Sequence, residues 1–264
     1  MIEIKNLIKT YDNRRVLDDI NLSIKQGETM VIMGGSGCGK STLLRHIISL
    51  ARPDSGQILI KGQDITVMNE ARLVEVRKRF GMLFQSGALL NSLTVGENVA
   101  LPLVEHTKLD RKIISIIVKM KLELVGLTGF ENLMPSQLSG GMKKRVGLAR
   151  AIAMDPELVF YDEPGAGLDP ITTAVVDKLI MDLTKKLGIT SIVVTHEMKS
   201  AFRIADRIAV LYKGKVVDIG TPEYIRNSKH PYVNQFINGA PDGPEPLRRS
   251  KDDYLSRLTS FDED

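Results

Sequence analysis

The segment GGSGCGKST, Gly34 to Thr42, constrains this chain more than any other stretch. It satisfies G-x-x-x-x-G-K-[ST] at Gly34, Gly39, Lys40 and Ser41, and it stands between the short apolar run ETMVIM and the helically spaced STLLRHIISL. A strand that empties into a glycine loop and then a helix gathers backbone N–H groups beside the positive end of a helix dipole. That is a cradle for phosphate. The glycines admit the backbone to the β-phosphate, Lys40 offers a flexible positive charge to the β and γ oxygens, and Ser41 can ligate Mg²⁺.

Such a loop needs a carboxylate at the end of a neighbouring buried strand, and ELVFYDE supplies two. Leu158 to Tyr161 form the strand, Asp162 ends it, and Glu163 follows. Ligands of open α/β sheets bind at such strand ends. The pair can divide the work, Asp162 on Mg²⁺ through water and Glu163 as the base that orients and deprotonates an attacking water.

Around these motifs the pattern alternates. The first thirty residues read as antiparallel β, GQILIKGQDI and FGMLFQ as further strands, and EARLVEVRKR between them as a helix. From about Ser86 to Asp155 the spacing is helical almost throughout. Strand and helix then alternate again through PITTAVVDKLIMDLTKKLG, TSIVVTH, MKSAFRIAD and RIAVLYKGKVVDIG, which implies a mostly parallel sheet covered on both faces. Beyond Asn238 the chain is Pro/Gly-rich and charged, and reads as an extended tail with one amphipathic turn around Tyr254 to Leu258.

A second anion site hides in the helical block. SGGMKKRVGLARA, Ser139 to Ala151, opens on two glycines where good helix formers are expected, and so bares its first N–H groups to a ligand. Lys143, Lys144 and Arg145 read as a solvated helix face: no interleaved aromatics accompany them, as stacking on nucleic acid would require. A net charge of +4 agrees with an anionic ligand or surface without choosing one. The first residues hold no continuous apolar core of a signal peptide, and lysines break the most apolar windows short of the roughly 18 to 20 residues a bilayer needs. The single cysteine, Cys38, excludes an internal disulfide and a cysteine-built zinc site, and reads as a small filler of the loop.

Taken in order, the motifs resemble those of ATP-binding cassette (ABC) ATPases over about residues 1 to 238. LSGGMKKR is similar to the LSGGQ signature of that family, with Met142 in place of the glutamine. The resemblance implies an α/β P-loop NTPase fold with a RecA-like parallel sheet core, an N-terminal antiparallel β subdomain and a helical subdomain inserted at about 86–155, followed by the tail at 239–264. ATP and Mg²⁺ are the implied ligands. Gly34, Gly35, Ser36, Gly37, Cys38, Gly39, Lys40, Ser41 and Thr42 would hold the phosphates, and Tyr11 would stack on adenine. Gln85 would reach the metal with Ser41 and Asp162, and Asp169 would sit in the loop after the glutamate. Lys40, Gln85 and the switch residue His196 would share catalysis with Glu163.

Two such subunits meet head to tail in that family, so Ser139, Gly140 and Gly141 would serve the partner copy's ATP. An integral membrane permease would dock near ALLNSLTVGENVALPL, with the chain peripheral on the cytoplasmic face of the inner membrane. The LSGGM form, FQSGAL and the HPYVNQFINGAPDGP ending are most similar to ATPases of Mce-type lipid transporters, the Mla phospholipid system in particular. That implies an Mce-domain lipid-binding protein and accessory subunits as further partners. The tail itself has two readings: a disordered charged end, or a Pro/Gly linker whose DDYLSRL segment clips onto the second copy. A solute importer ATPase shares every catalytic motif; a soluble non-transport ABC protein would carry two cassettes or a long coiled coil, and this chain has neither.

Overall fold

The computed structural model describes residues 1–245. Two sheets form its frame. Strands β1 (Ile2–Tyr11), β2 (Arg14–Ile24), β4 (Ser55–Ile60) and β5 (Gln63–Asp64) make an antiparallel sheet in the order β2-β1-β4-β5. The second sheet has the order β10-β9-β3-β8-β7-β6, from β3 (Thr29–Met33), β6 (Phe80–Leu83), β7 (Leu158–Asp162), β8 (Thr190–Thr195), β9 (Arg207–Tyr212) and β10 (Lys215–Gly220). Its pairs are parallel except at the edge, where β10 runs antiparallel to β9. The run RIAVLYKGKVVDIG is therefore a hairpin, turned at Lys213 and Gly214, both at positive φ as a two-residue turn of this hand demands.

Alternation along the parallel strands divides the interior. Met30, Ile32, Phe160, Ile192, Val194, Ala209 and Leu211 face one core, shared with helix α1 (Lys40–Ile47), helix α2 (Glu70–Arg77) through Leu73, and the antiparallel sheet. Val31, Met33, Val159, Tyr161, Val193, Ile208 and Val210 face the other. There they meet α3 (Val95–His106), α4 (Arg111–Leu124), α5 (Gly140–Ala151), α6 (Pro170–Leu187) and α7 (Met198–Ile204), with α8 (Pro222–Arg226) and α9 (Pro231–Asn238) closing the end.

Helices α3, α4 and α5 occupy the chain between β6 and β7, and each start is capped as its sequence allows. Thr94 and Glu97 form a reciprocal capping box for α3, Asp110 caps α4, and Ser139 caps α5. The apolar run after Gln85 is divided: Val95, Val99 and Leu103 are core, while Leu90 and Val104 stay exposed. The first residues after Asn238 lie against α9, since Gln235 exchanges hydrogen bonds with the Glu245 backbone and the Tyr212 hydroxyl donates to the Pro244 carbonyl. The DDYLSRL segment lies outside the described residues.

Candidate nucleotide site

Strand β3 ends at Met33, and the loop Gly34 to Gly39 turns directly into α1. Glycine is dictated by space at both ends of the loop. A Cβ on Gly34 would lie 2.2 Å from the Leu211 carbonyl oxygen, and one on Gly39, at φ +109°, would lie 2.8 Å from that of Val16. Strands β9 and β2 thus press the loop into its curve. Gly37, at φ +73°, faces open space. The buried Lys40 donates from Nζ to the Gly34 carbonyl at 2.7 Å and to that of Gly35 at 2.9 Å, so its charge sits inside the loop. Ser36, Gly37 and Ser41 are exposed, and Thr42 is half-buried. Cys38 is buried beneath them, and burial pushes its thiol pKa up.

Register places the acids beside this loop. Met33 pairs with Thr195, Asp162 with Val194, and Leu83 with Tyr161, so Gly34, His196, Glu163 and Gln85 all emerge from the C-terminal edge of one parallel sheet. Burial and the neighbouring Glu163 charge raise the Asp162 pKa. Glu163 is anchored on both oxygens: Oε1 meets His196 Nδ1 at 2.9 Å, and Oε2 accepts from the Thr195 hydroxyl at 3.1 Å and the His196 N–H at 3.3 Å. Its backbone is left-handed at φ +49°, a conformation that costs a non-glycine residue about 1–2 kcal/mol. Ser41, Gln85 and Asp162 offer a hydroxyl, an amide oxygen and a carboxylate, an all-oxygen set that fits Mg²⁺.

The remaining residues stand apart from that cluster. Tyr11 lies at the tip of the β1–β2 hairpin, paired with Arg14, exposed, and with Lys9 Nζ 5.1 Å from its ring centre. Ser139 and Gly140 are exposed at the start of α5, where the Ser139 Oγ accepts the Met142 N–H at 3.3 Å and keeps its own proton free to donate. Gly141 is buried, and its small size is required within the chain: a Cβ there would lie 2.3 Å from the Thr172 methyl group. Asp169 caps α6, accepting from Ile171 N, Thr172 N and the Thr172 hydroxyl, and these bonds lower its pKa. Met142 is partly buried against the helical core, so the signature's departure from glutamine is absorbed by packing.

The family model for ABC transporters matches residues 17–166, which contain both the phosphate loop and the strand end at Glu163. The chain belongs to the ABC transporter family. As a member it binds and hydrolyses ATP. It is 46% identical over 258 residues to the intermembrane phospholipid transport system ATP-binding protein MlaF of Escherichia coli K12, covering 98% of this chain and 96% of that one. It is 43% identical over 252 residues to the probable ribonucleotide transport ATP-binding protein mkl of Mycobacterium leprae, covering 96% of this chain and 73% of that one. The structure resembles the dimeric post-hydrolysis state of the ATP-binding cassette MJ0796 bound to ADP and Pi, with TM-score 0.78 and 34% identity over 84% of this chain and 99% of that one.

Within this ABC cassette the contacts of four residues escape sequence reasoning. Lys144 is buried, with Nζ 3.1 Å from the Glu163 carbonyl oxygen, and Arg145 donates to the Val125 and Gly126 carbonyls. Lys144 and Arg145 are therefore not part of a solvated face: α5 lies across the core and turns these two side chains toward backbone carbonyls that receive them. Arg150 donates to the Gly87 and Ala88 carbonyls at 2.8 and 2.7 Å, tying α5 to the loop that carries Gln85. Tyr232 accepts the Gly35 N–H. Only the HPY ending around Tyr232 carried any signal in the sequence, and that signal named relatives rather than a contact.

Proposed function

We propose that this chain is the ATPase of a phospholipid-moving ABC transporter, working as a head-to-tail homodimer beneath a membrane permease. The hydrolytic part rests on one observation: Glu163 stands at the sheet edge beside the phosphate loop with both carboxylate oxygens already oriented by Thr195 and His196. Oε2 already accepts two hydrogen bonds, whereas Oε1, with His196 as its one partner, retains a lone pair for the proton of an attacking water. Lys40 and the loop amides bind the β and γ phosphates, Tyr11 stacks on adenine, Gln85 senses the γ-phosphate, and the switch residue His196 holds Glu163. Ser41, Gln85 and Asp162 would hold Mg²⁺, which supplies charge neutralisation between those phosphates. Ser139, Gly140 and Gly141 donate to the partner copy's γ-phosphate, with Asp169 between, so ATP bridges the copies and hydrolysis parts them.

The cargo reading is supported by 46% identity to MlaF over nearly both whole chains. The mycobacterial relative's name makes ribonucleotide a second reading at similar identity. No helix among the described residues is long and apolar enough to cross a membrane. In this reading a permease carries the transport path, and an Mce-domain protein with accessory subunits joins it. The chain then works peripherally on the cytoplasmic face of the inner membrane, where ATP is available.

Two experiments test this. Glu163→Gln should bind ATP, run as a closed dimer in gel filtration, and hydrolyse about 10²–10⁴-fold more slowly; normal turnover would refute the base assignment. Affinity purification from gently solubilised membranes should bring down a permease, an Mce-domain protein and phospholipid. A permease with a soluble solute-binding protein would replace lipid by solute.

A further inference from the structure

Lys144 lies one turn into α5, and it is 4% exposed. Lysine is almost never so buried without a partner. Its partner is the Glu163 carbonyl, and around it stand Asp162, Glu163 and Glu197, whose charges favour the ammonium that burial disfavours. Glu163 also donates its N–H to the Val194 carbonyl at 2.8 Å, and its carbonyl accepts the Ala166 N–H at 3.1 Å. Those two are backbone bonds of the sheet and the turn. The Lys144 bond is different, because it arrives from another helix and lands on the one peptide whose left-handed turn sets where the Glu163 carboxylate points.

We propose that Lys144 is a positioning residue for ATP hydrolysis: its ammonium holds the Glu163 peptide in the turn that presents the carboxylate to Thr195 and His196. The same bond makes α5 a lever. Its first residues, Ser139 and Gly140, face outward, and five residues on it grips the hydrolytic peptide of its own chain. Engagement of the partner's ATP at the start of α5 is thereby felt at Glu163 in cis. This rests on the assignment of Glu163 as base.

The test is Lys144→Met, which keeps the apolar stem and removes the donor. The kcat for ATP should fall about tenfold to a hundredfold with KM and nucleotide affinity nearly unchanged, the scale set by small misplacements of a reacting group. Lys144→Arg, which can still donate, should recover most of the rate. Lys144→Gln is one atom short of the carbonyl and should behave like Met, providing the reading if the Met variant does not fold. Parent-like kcat in a folded Met or Gln variant would overturn the proposal. So would KM rising together with falling kcat and melting temperature without recovery in Lys144→Arg, because that pattern marks mere packing. Glu163→Gln measured alongside separates the two claims: if it is inactive while Lys144→Met is normal, only the positioning role falls, whereas normal turnover in Glu163→Gln removes the base assignment itself.

Discussion

The hydroxyl of Tyr232 accepts the backbone N–H of Gly35 at 2.9 Å, joining α9 to the phosphate loop across 197 positions of sequence. The ring is held by stacking, 3.8 Å from Tyr212 between centres and 5.8 Å from Phe236, so the hydroxyl is a fixed post rather than a mobile one.

Tyr232→Phe keeps that stack and leaves the Gly35 N–H without its partner. Such a loss costs about 1–3 kcal/mol, so affinity for a nonhydrolysable ATP analogue should weaken about tenfold. Calorimetric titration measures it, and an unchanged Kd would mean that the hydroxyl only fills space.

Gly141→Ala should destabilise the fold by about 1–3 kcal/mol, because the added methyl meets the Thr172 methyl at 2.3 Å. Combining it with Thr172→Ser removes the obstructing methyl but keeps the hydroxyl that Asp169 accepts. Thermal melting of the double variant should recover most of the loss. Simple additivity would place the strain elsewhere.

Cys38 should react slowly with iodoacetamide at neutral pH and faster as pH rises, since burial raises its pKa and keeps the thiolate scarce. Complete modification should abolish ATP binding, because the sulfur lies within the loop, 4.0 Å from Lys40 Nζ. Bound nucleotide should protect it. Undiminished affinity in fully alkylated protein would count against this account of the loop.

His46 gives a pH dependence with a definite sign. Its Nδ1 lies 2.7 Å from the Thr42 carbonyl and its buried Nε2 has no partner among the described residues, so the native state favours the neutral ring and burial lowers its pKa. The folded value lies below the unfolded one of about 6.5. Its stabilisation is therefore complete above that pH and is lost as pH falls from there toward the folded pKa. His46→Gln should make the decline of melting temperature between pH 7 and 5 shallower, and an identical slope would assign the decline to other groups.

What was legible from sequence follows what is local. The phosphate loop, the capped start at Ser139 and the Asp162-Glu163 strand end are each specified by adjacent residues, so the motifs appear in the sequence as they stand in the fold. Lys144 was not legible, because a lysine between Lys143 and Arg145 reads as surface until the helix carrying it is laid across a core. The strand GQILI was visible as a strand, but its antiparallel register with β1, Ile4 opposite Ile58, depends on partners far along the chain. Residues 213 and 214 did carry the signal of the β9–β10 hairpin, in a glycine placed between two apolar runs.

One apolar mass joins Val95, Val118 and Val146 of α3, α4 and α5 to Val159 and Val193 of the parallel sheet. Helices α3 and α4 reach that sheet mainly by way of α5, so any motion that turnover imposes on them passes through the packing of a single helix. A close-packed seam of that kind moves between discrete seats instead of bending smoothly, and the stroke passed to a permease is then a step.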